Sequence, residues 1–294
     1  MNSRLKAVFL ALPLLFLLAA CAQNPVTGKQ DFVMMSEAQE LSLGRQADQE
    51  AKRQYALYDL HGLAKYVDEV GQRLGPDRDP QHIIAAINEY LFTDLGFVGN
   101  EADYYDPRNS YLNEVIERRT GLPVTLSLVY MEIARHLGLS LVGLGFPARF
   151  LIKYVGPEAD LILDPFSGGR VTTEEECVEQ LRQVYGSRLR FRPEFLEPTT
   201  SRAILARLLK NLEGVYLRQR DYAHAYAVVE RFLLIQPDAP DEVRERGLIA
   251  FRLGDMRRAI ADLRRYLQLR PEARDRDSIR NQLALARRVW RMRN

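Results

Sequence analysis

Nucleophilic attack and proton transfer would rest here on few residues, because the chain of 294 residues holds two cysteines and four histidines. The histidines are His61, His82, His136 and His224, and no two stand four apart. No helix can therefore present the two imidazoles with an intervening glutamate that an HExxH zinc site requires. The nearest approach, Met131-Glu132-Ile133-Ala134-Arg135-His136, lacks the first ligand. No metal and no cofactor is expected. Cys177 follows Glu174, Glu175 and Glu176, whose charges oppose thiolate formation, so it reads as a small apolar residue on a helix. Ser127 sits inside a helical pattern with only His136 near it in sequence, which favours packing or capping. His136 itself falls in a last helical turn, where an imidazole complements the helix dipole.

Composition narrows the partners. Lys and Arg number 41 against 39 Asp and Glu, a net charge of +2, too balanced for wholesale nucleic-acid binding. From Arg252 to the end the chain carries many arginines and no lysine. That stretch reads as the solvated face of a helical array, or as a basic surface for an acidic partner or anionic lipid.

Arg4 and Lys6 precede an apolar run, Ala7 to Leu18, about twelve residues where a membrane span needs roughly twenty. This is the pattern of an export signal over residues 1–20. The run ends in Leu18-Ala19-Ala20-Cys21, which resembles the lipobox of bacterial lipoproteins. The resemblance implies cleavage before Cys21, a diacylglyceryl group on its thiol and acylation of the new amine. Several acyl chains on one residue give durable anchoring. With Ala22 next and no aspartate, the resemblance points to the periplasmic face of the outer membrane.

Residues 21–80 read as a tether and N-terminal helices. Asn24-Pro25-Val26-Thr27-Gly28 is turn-rich, and Ser36-Glu37-Ala38-Gln39 has capping-box spacing. Helical patterns follow over Glu40 to Tyr58 and Gly62 to Leu74, and Gly75 to Pro80 reads as a boundary. Asn24 to Leu74 is similar to the leader of bacterial lipoprotein zinc metallopeptidases, but the HExxH domain that follows in those proteins is missing here.

Residues 81–198 change from helices to strands. Ile83 to Phe92, Ser110 to Glu117 and Thr125 to Leu137 are helical in pattern, the last closed by Gly138. Leu141 to Val155 and Ala159 to Leu163 read as a strand pair, and Thr172 or Thr173 caps a further helix. The motifs Gly96-Phe97-Val98-Gly99-Asn100, Asn109-Ser110-Tyr111-Leu112-Asn113, Glu117 to Pro123, Gly145-Phe146-Pro147 and Asp164-Pro165-Phe166 resemble the SirB-type transglutaminase-like family. The resemblance implies an α+β, papain-like core and a cysteine–histidine–aspartate triad in that chain order. The cysteine slot falls near Pro123 to Thr125, the histidine slot on Arg149 within Pro147-Ala148-Arg149-Phe150, and the aspartate slot on Asp164. Arginine stays protonated and cannot act as the base, and no thiol stands in the first slot. With Arg149 in the histidine slot, the slots predict a charge-assisted pair between Arg149 and Asp164 in place of a catalytic dyad.

Residues 199–294 repeat. Asp221, Ala225, Ala227, Arg231, Leu233 and Pro237 recur as Asp255, Ala259, Ala261, Arg265, Leu267 and Pro271, every interval being 34. That is the tetratricopeptide (TPR) period. The spacing predicts two helix pairs over 206–273 and a capping helix from Ser278 to Trp290, with Leu283, Leu285, Ala286 and Val289 in its core face. The expected protein is thus an α+β transglutaminase-like domain followed by an all-α TPR array. It is lipid-anchored through Cys21, without catalytic residues, and binds an unidentified periplasmic protein through the TPR region. The alternative is a hydrolase or acyl transferase of altered chemistry that uses Asp164 with an unidentified nucleophile.

Overall fold

The computed structural model describes residues 21–23, 30–32 and 61–293, apart from Ala148 and Glu158. Residues 1–20, expected as an export signal, the turn expected from Asn24 to Gly28 and the helix expected over 40–58 lie outside the described residues. Two units result, 1–59 and 60–294. In the first, β1 (Cys21–Gln23) pairs antiparallel with β2 (Gln30–Phe32).

The second unit opens with α1 (His61–Leu74), whose Leu63, Tyr66 and Val70 are buried at helical spacing. Gly75, at a φ of 58°, ends it. Asp79 then caps α2 (Pro80–Asn88) by accepting from the amides of Gln81 and His82, with Pro80 in the first turn, where its missing N–H costs nothing. The boundary expected at residue 80 is therefore a tight helix–helix connection. Helix α1 packs into the same core as Ile83, Ile87 and Tyr130, because its apolar face would otherwise be open to water. A π-helical turn, Glu89–Asp94, continues α2. After β3 (Val98–Gly99) come a 3-10 turn, Pro107–Ser110, and α3 (Leu112–Arg118). Next is β4 (Thr120–Gly121), which runs parallel to β3.

Helix α4 (Pro123–His136) is the centre of the domain. Pro123 to Ser127, Val129, Tyr130, Ile133 and Ala134 are all buried. It is covered by α1, α2 and α3 and by one face of a four-stranded antiparallel sheet, β5 (Leu141–Leu144), β6 (Leu151–Tyr154), β7 (Leu161–Asp164) and β8 (Arg170–Thr172). Ile152 and Leu163 face α4, whereas Leu144 and Leu151 face Cys177 and Leu181 of α5 (Glu174–Tyr185). Residues at period 2 serve two cores, so the sheet is buried on both sides. The single strand expected over 141–155 is thus two strands. Gly145, Phe146 and Pro147 turn the chain between them, and Pro147 has no N–H to continue a ladder. The fourth strand, β8, was not expected. It is an edge strand of three residues with Val171 exposed.

Five helices complete the chain: α6 (Ser201–Arg218), α7 (Tyr222–Ile235), α8 (Pro240–Arg252), α9 (Met256–Leu269) and α10 (Arg276–Arg293). Helix α6 serves both halves. Ile204 and Leu208 pack on the α/β core, while Ala206, Leu209, Leu212 and Tyr216 pack on α7 and its neighbours. The 34-residue period appears as repeated local structure. Asp221 caps α7 and Asp255 caps α9, at φ, ψ of −83°, 77° and −81°, 77°. Gly254 precedes the second cap at a positive φ, and Arg220 holds the same left-handed conformation before the first. Ala225 and Ala259 are fully buried, where only a methyl group permits the helices to approach. Ala259→Leu is expected to lower the unfolding free energy by about 1–3 kcal/mol through overpacking, measured by urea unfolding with Ala261→Leu as the exposed control. Helix α10 closes the array with Ile279, Leu283 and Ala286 buried, but Leu285, expected in the core, is exposed. It lies one residue from Ala286, about 100° round the helix and off the contact stripe.

Candidate functional site

Asp164 ends β7 and caps the 3-10 turn Pro165–Ser167. Its Oδ1 accepts from the amides of Phe166 (3.1 Å) and Ser167 (3.3 Å). Its Oδ2 accepts from Nη1 of Arg149 at 2.6 Å, and the residue is 1% exposed. The expected pair between the histidine and aspartate slots is therefore present, closed by a guanidinium. Nη1 of Arg149 also donates to Oγ of Ser167 at 2.6 Å, and the guanidinium lies over the ring of Phe166. The other edge of that ring is set by Gly99, where any side chain would run into Phe166. The Gly-Asn and Asp-Pro-Phe motifs thus meet at one ring. Gly169, at a φ of 73°, closes the turn against Asn88, whose Nδ2 donates to its carbonyl at 3.0 Å.

The cysteine slot lies at the first turn of α4. Thr125 is fully buried; its Oγ1 donates to the carbonyl of Asn109 at 2.9 Å and accepts from the amide of Leu122 at 2.9 Å. Asn109 is itself fully buried, accepting from Nδ2 of Asn100 and donating to the carbonyl of Asp103. These bonds tie the 100–111 loop to the helix start, so the Thr125 hydroxyl, in the slot expected for the nucleophile, is a structural tie. Ser127 is buried one turn from the start of α4, its Oγ without a hydrogen bond among the described residues.

The remaining candidates lie apart. Cys177 is fully buried between the sheet and α5. Burial pushes its thiol up; the Thr172 hydroxyl opposes this, and Asp164 and Glu176 add to it. His136 is exposed and pairs with Glu132 on its own helix, His82 with Asp77, and His224 with Asp221. Among the described residues no group of three His, Cys, Asp or Glu has metal-binding geometry. Sequence reasoning missed Ser167, Asn109 and Asn100 as partners of the site, although the motifs that contain the two asparagines were visible. It also missed Arg207 of α6, whose Nη1 donates to the Phe146 carbonyl at 3.0 Å across 61 residues.

A four-stranded antiparallel sheet packed on a buried helix, with slot residues at the helix start and on β7, defines a transglutaminase-like domain, here joined to a TPR array. A family profile for the transglutaminase-like superfamily matches residues 60–210, and one for the tetratricopeptide repeat matches 212–284. The chain belongs to the transglutaminase-like superfamily. It is similar to a UPF0162 protein of Xylella fastidiosa, 42% identical over 203 residues, covering 68% of this chain and 72% of that protein. A UPF0162 protein of Vibrio cholerae is 28% identical over 78% of this chain and 83% of its own length. F-box only protein 21 of Homo sapiens is 29% identical over 58% of this chain and 28% of its own length. The repeat array supports a protein-interaction module, since stacked helix pairs present extended binding surfaces.

Proposed function

We propose that the protein is a lipid-anchored interaction module of the periplasmic face of the cell envelope, at the outer membrane. In this reading its transglutaminase-like domain no longer turns over substrate, and the TPR array binds a periplasmic protein. The observation that carries the loss of turnover is the closed Arg149–Asp164 pair. A triad needs a neutral base between nucleophile and aspartate, and a guanidinium spends its charge on the carboxylate instead. The hydroxyl in the nucleophile slot, on Thr125, is committed to the Asn109 carbonyl.

Arg149→His is therefore expected to show no hydrolysis of glutamine peptides and no amine incorporation, because the thiol is still missing. Turnover by that variant would mean that another nucleophile operates beside Asp164. Anchoring is tested at Cys21. The Cys21→Ala variant is expected to keep its export segment uncut by the lipoprotein peptidase and to lose acyl label, followed by mass of the N-terminal peptide and by membrane fractionation. Cleavage at the same bond with unchanged flotation would remove the lipid anchor from the reading.

A further inference from the structure

Helix α10 outruns the array that it closes. It has 18 residues against 14 in α9, on which it packs. Trp290 stands seven residues after Leu283, on the same stripe of the helix, yet Leu283 is 6% exposed and Trp290 40%. The support from α9 therefore fails between them. Met292, two residues on and about 200° round the helix, is 69% exposed. The last turn thus shows an apolar side chain on each of two opposite sides.

This tip stands beside the turn that joins α8 to α9. A Cβ on Gly254 of that turn would lie 3.7 Å from Nη1 of Arg293, and its neighbour Leu253 is 46% exposed. Positive charge collects at the same end of the array. Arg252, Arg257, Arg287, Arg288, Arg291 and Arg293 are exposed, and none has an ion pair among the described residues. From Ser278 to Arg293 the helix holds no acidic residue. The acid of the turn, Asp255, caps α9 and pairs with Arg258 at 3.5 Å. The other end of these helices has the opposite character: α8 begins with Asp241 and Glu242, and α10 carries Asp277 in its first turn.

We propose that the arginine-rich end of the repeat array docks on the surface of an anionic phospholipid bilayer. Tryptophan favours the headgroup level of a membrane, and Met292 and Leu253 supply further apolar area beside it. The guanidinium groups reach lipid phosphates, which they match as planar forks, while their stems lie along the apolar layer. Such binding grows with buried apolar area and with attraction to anionic lipid, and this end offers both. A peptide or a second chain lying along α10 would cover one side of its tip. A layer met end-on covers Trp290, Met292 and Leu253 together. The contact is separate from the anchor read at Cys21, and it leaves the length of the repeat helices open to a protein.

Trp290 is the one tryptophan of the chain, so its fluorescence reports from this end alone. The full chain is mixed with vesicles of phosphatidylethanolamine and phosphatidylglycerol, or of phosphatidylethanolamine and phosphatidylcholine. With phosphatidylglycerol the emission is expected to move to shorter wavelength and to be quenched by lipids brominated near the headgroup. With the neutral vesicles it should stay in place, and high salt should reverse the shift. The double variant Arg288→Gln, Arg291→Gln should weaken docking about fivefold per charge removed, seen as a higher phosphatidylglycerol fraction at half-maximal quenching. Both positions are exposed, so its thermal unfolding should match that of the parent. Met292→Asp should weaken docking at unchanged charge on the arginines. Equal responses to neutral and anionic vesicles, or no quenching by brominated anionic lipid, would overturn the proposal. So would an equal shift from soluble polyglutamate, which would assign the end to an acidic protein, or a shift on concentrating the chain without lipid, which would assign it to a second copy. Loss of the Cys21 anchor would leave the Trp290 response to excess anionic vesicles in place, so the two readings fail separately.

Discussion

Removing Asp164 alone is expected to lower the unfolding free energy by about 3 kcal/mol, the range for breaking a buried ion pair from one side. The carboxylate is 1% exposed and holds two turn amides as well as Arg149. Asp164→Ala would therefore strand a guanidinium and undo the cap of the Pro165–Ser167 turn at once. Arg149→Ala strands the carboxylate instead, but the two amide bonds remain, so its cost should be smaller, about 2 kcal/mol. The double variant removes both charges and should cost less than the two effects added, with a coupling of about 1–2 kcal/mol. Urea unfolding of the four chains gives the cycle. Strict additivity would mean that the 2.6 Å contact contributes nothing and that the turn cap alone fixes Asp164.

How much of this was legible in the sequence depended on the range of the interactions involved. The repeats were legible because each is a local unit. The Asp221 and Asp255 caps bond only three residues ahead, and the buried Ala225 and Ala259 follow at a fixed offset. The sheet was legible as strands but not in number, since Leu141 to Val155 is apolar except at Arg149, Lys153 and the tip of Tyr154, and the Gly145 to Phe150 turn interrupts it without a polar residue until Arg149. β8 is too short to show a period. The Arg149–Asp164 pair could be foreseen only through the motifs that place both in known slots. Asn109 with Thr125, and Arg207 with Phe146, are bonds to backbone carbonyls over 16 and 61 residues. A carbonyl carries no side-chain identity, so such bonds leave no pattern to read. The same reason hid the membership of α1. Its amphipathic face was clear, and what covers that face was not.

The repeat region should lose stability as pH rises from 5 to 8, because a proton is held where α6 meets α8. Nζ of Lys210 lies 2.7 Å from Glu213 Oε2 and 2.9 Å from Glu242 Oε1, and the two carboxylates are 3% and 6% exposed. One ammonium cannot neutralise both. Burial pushes the Glu213 carboxyl up to about 7; Lys210 opposes this and the charge of Glu242 adds to it. Glu245, on the same helix as Glu242, is also raised by burial. A carboxyl whose folded pKa exceeds its unfolded value stabilises the fold fully below the unfolded value near 4.5, and that contribution is lost as pH rises through the folded value. The loss should reach about 3 kcal/mol at most by pH 8, since each pKa unit is worth about 1.4 kcal/mol and the rise from 4.5 to about 7 already includes the opposing charge of Lys210. Lys210, raised by the same two acids, loses its contribution only above its unfolded value near 10.5, outside this window. Carboxyls lowered in the fold, such as Asp106 and Asp275, act at more acid pH and with the opposite sign. His82, raised by Asp77, shares the window but is common to parent and variant. Urea unfolding at pH 5 and pH 8 should therefore show a clear drop for the parent and a flatter response for Glu213→Gln, which is always neutral. At pH 8 the glutamine variant should be the more stable chain. An unchanged pH dependence in that variant would place the titrating group elsewhere and leave Lys210 shared between two ionised carboxylates.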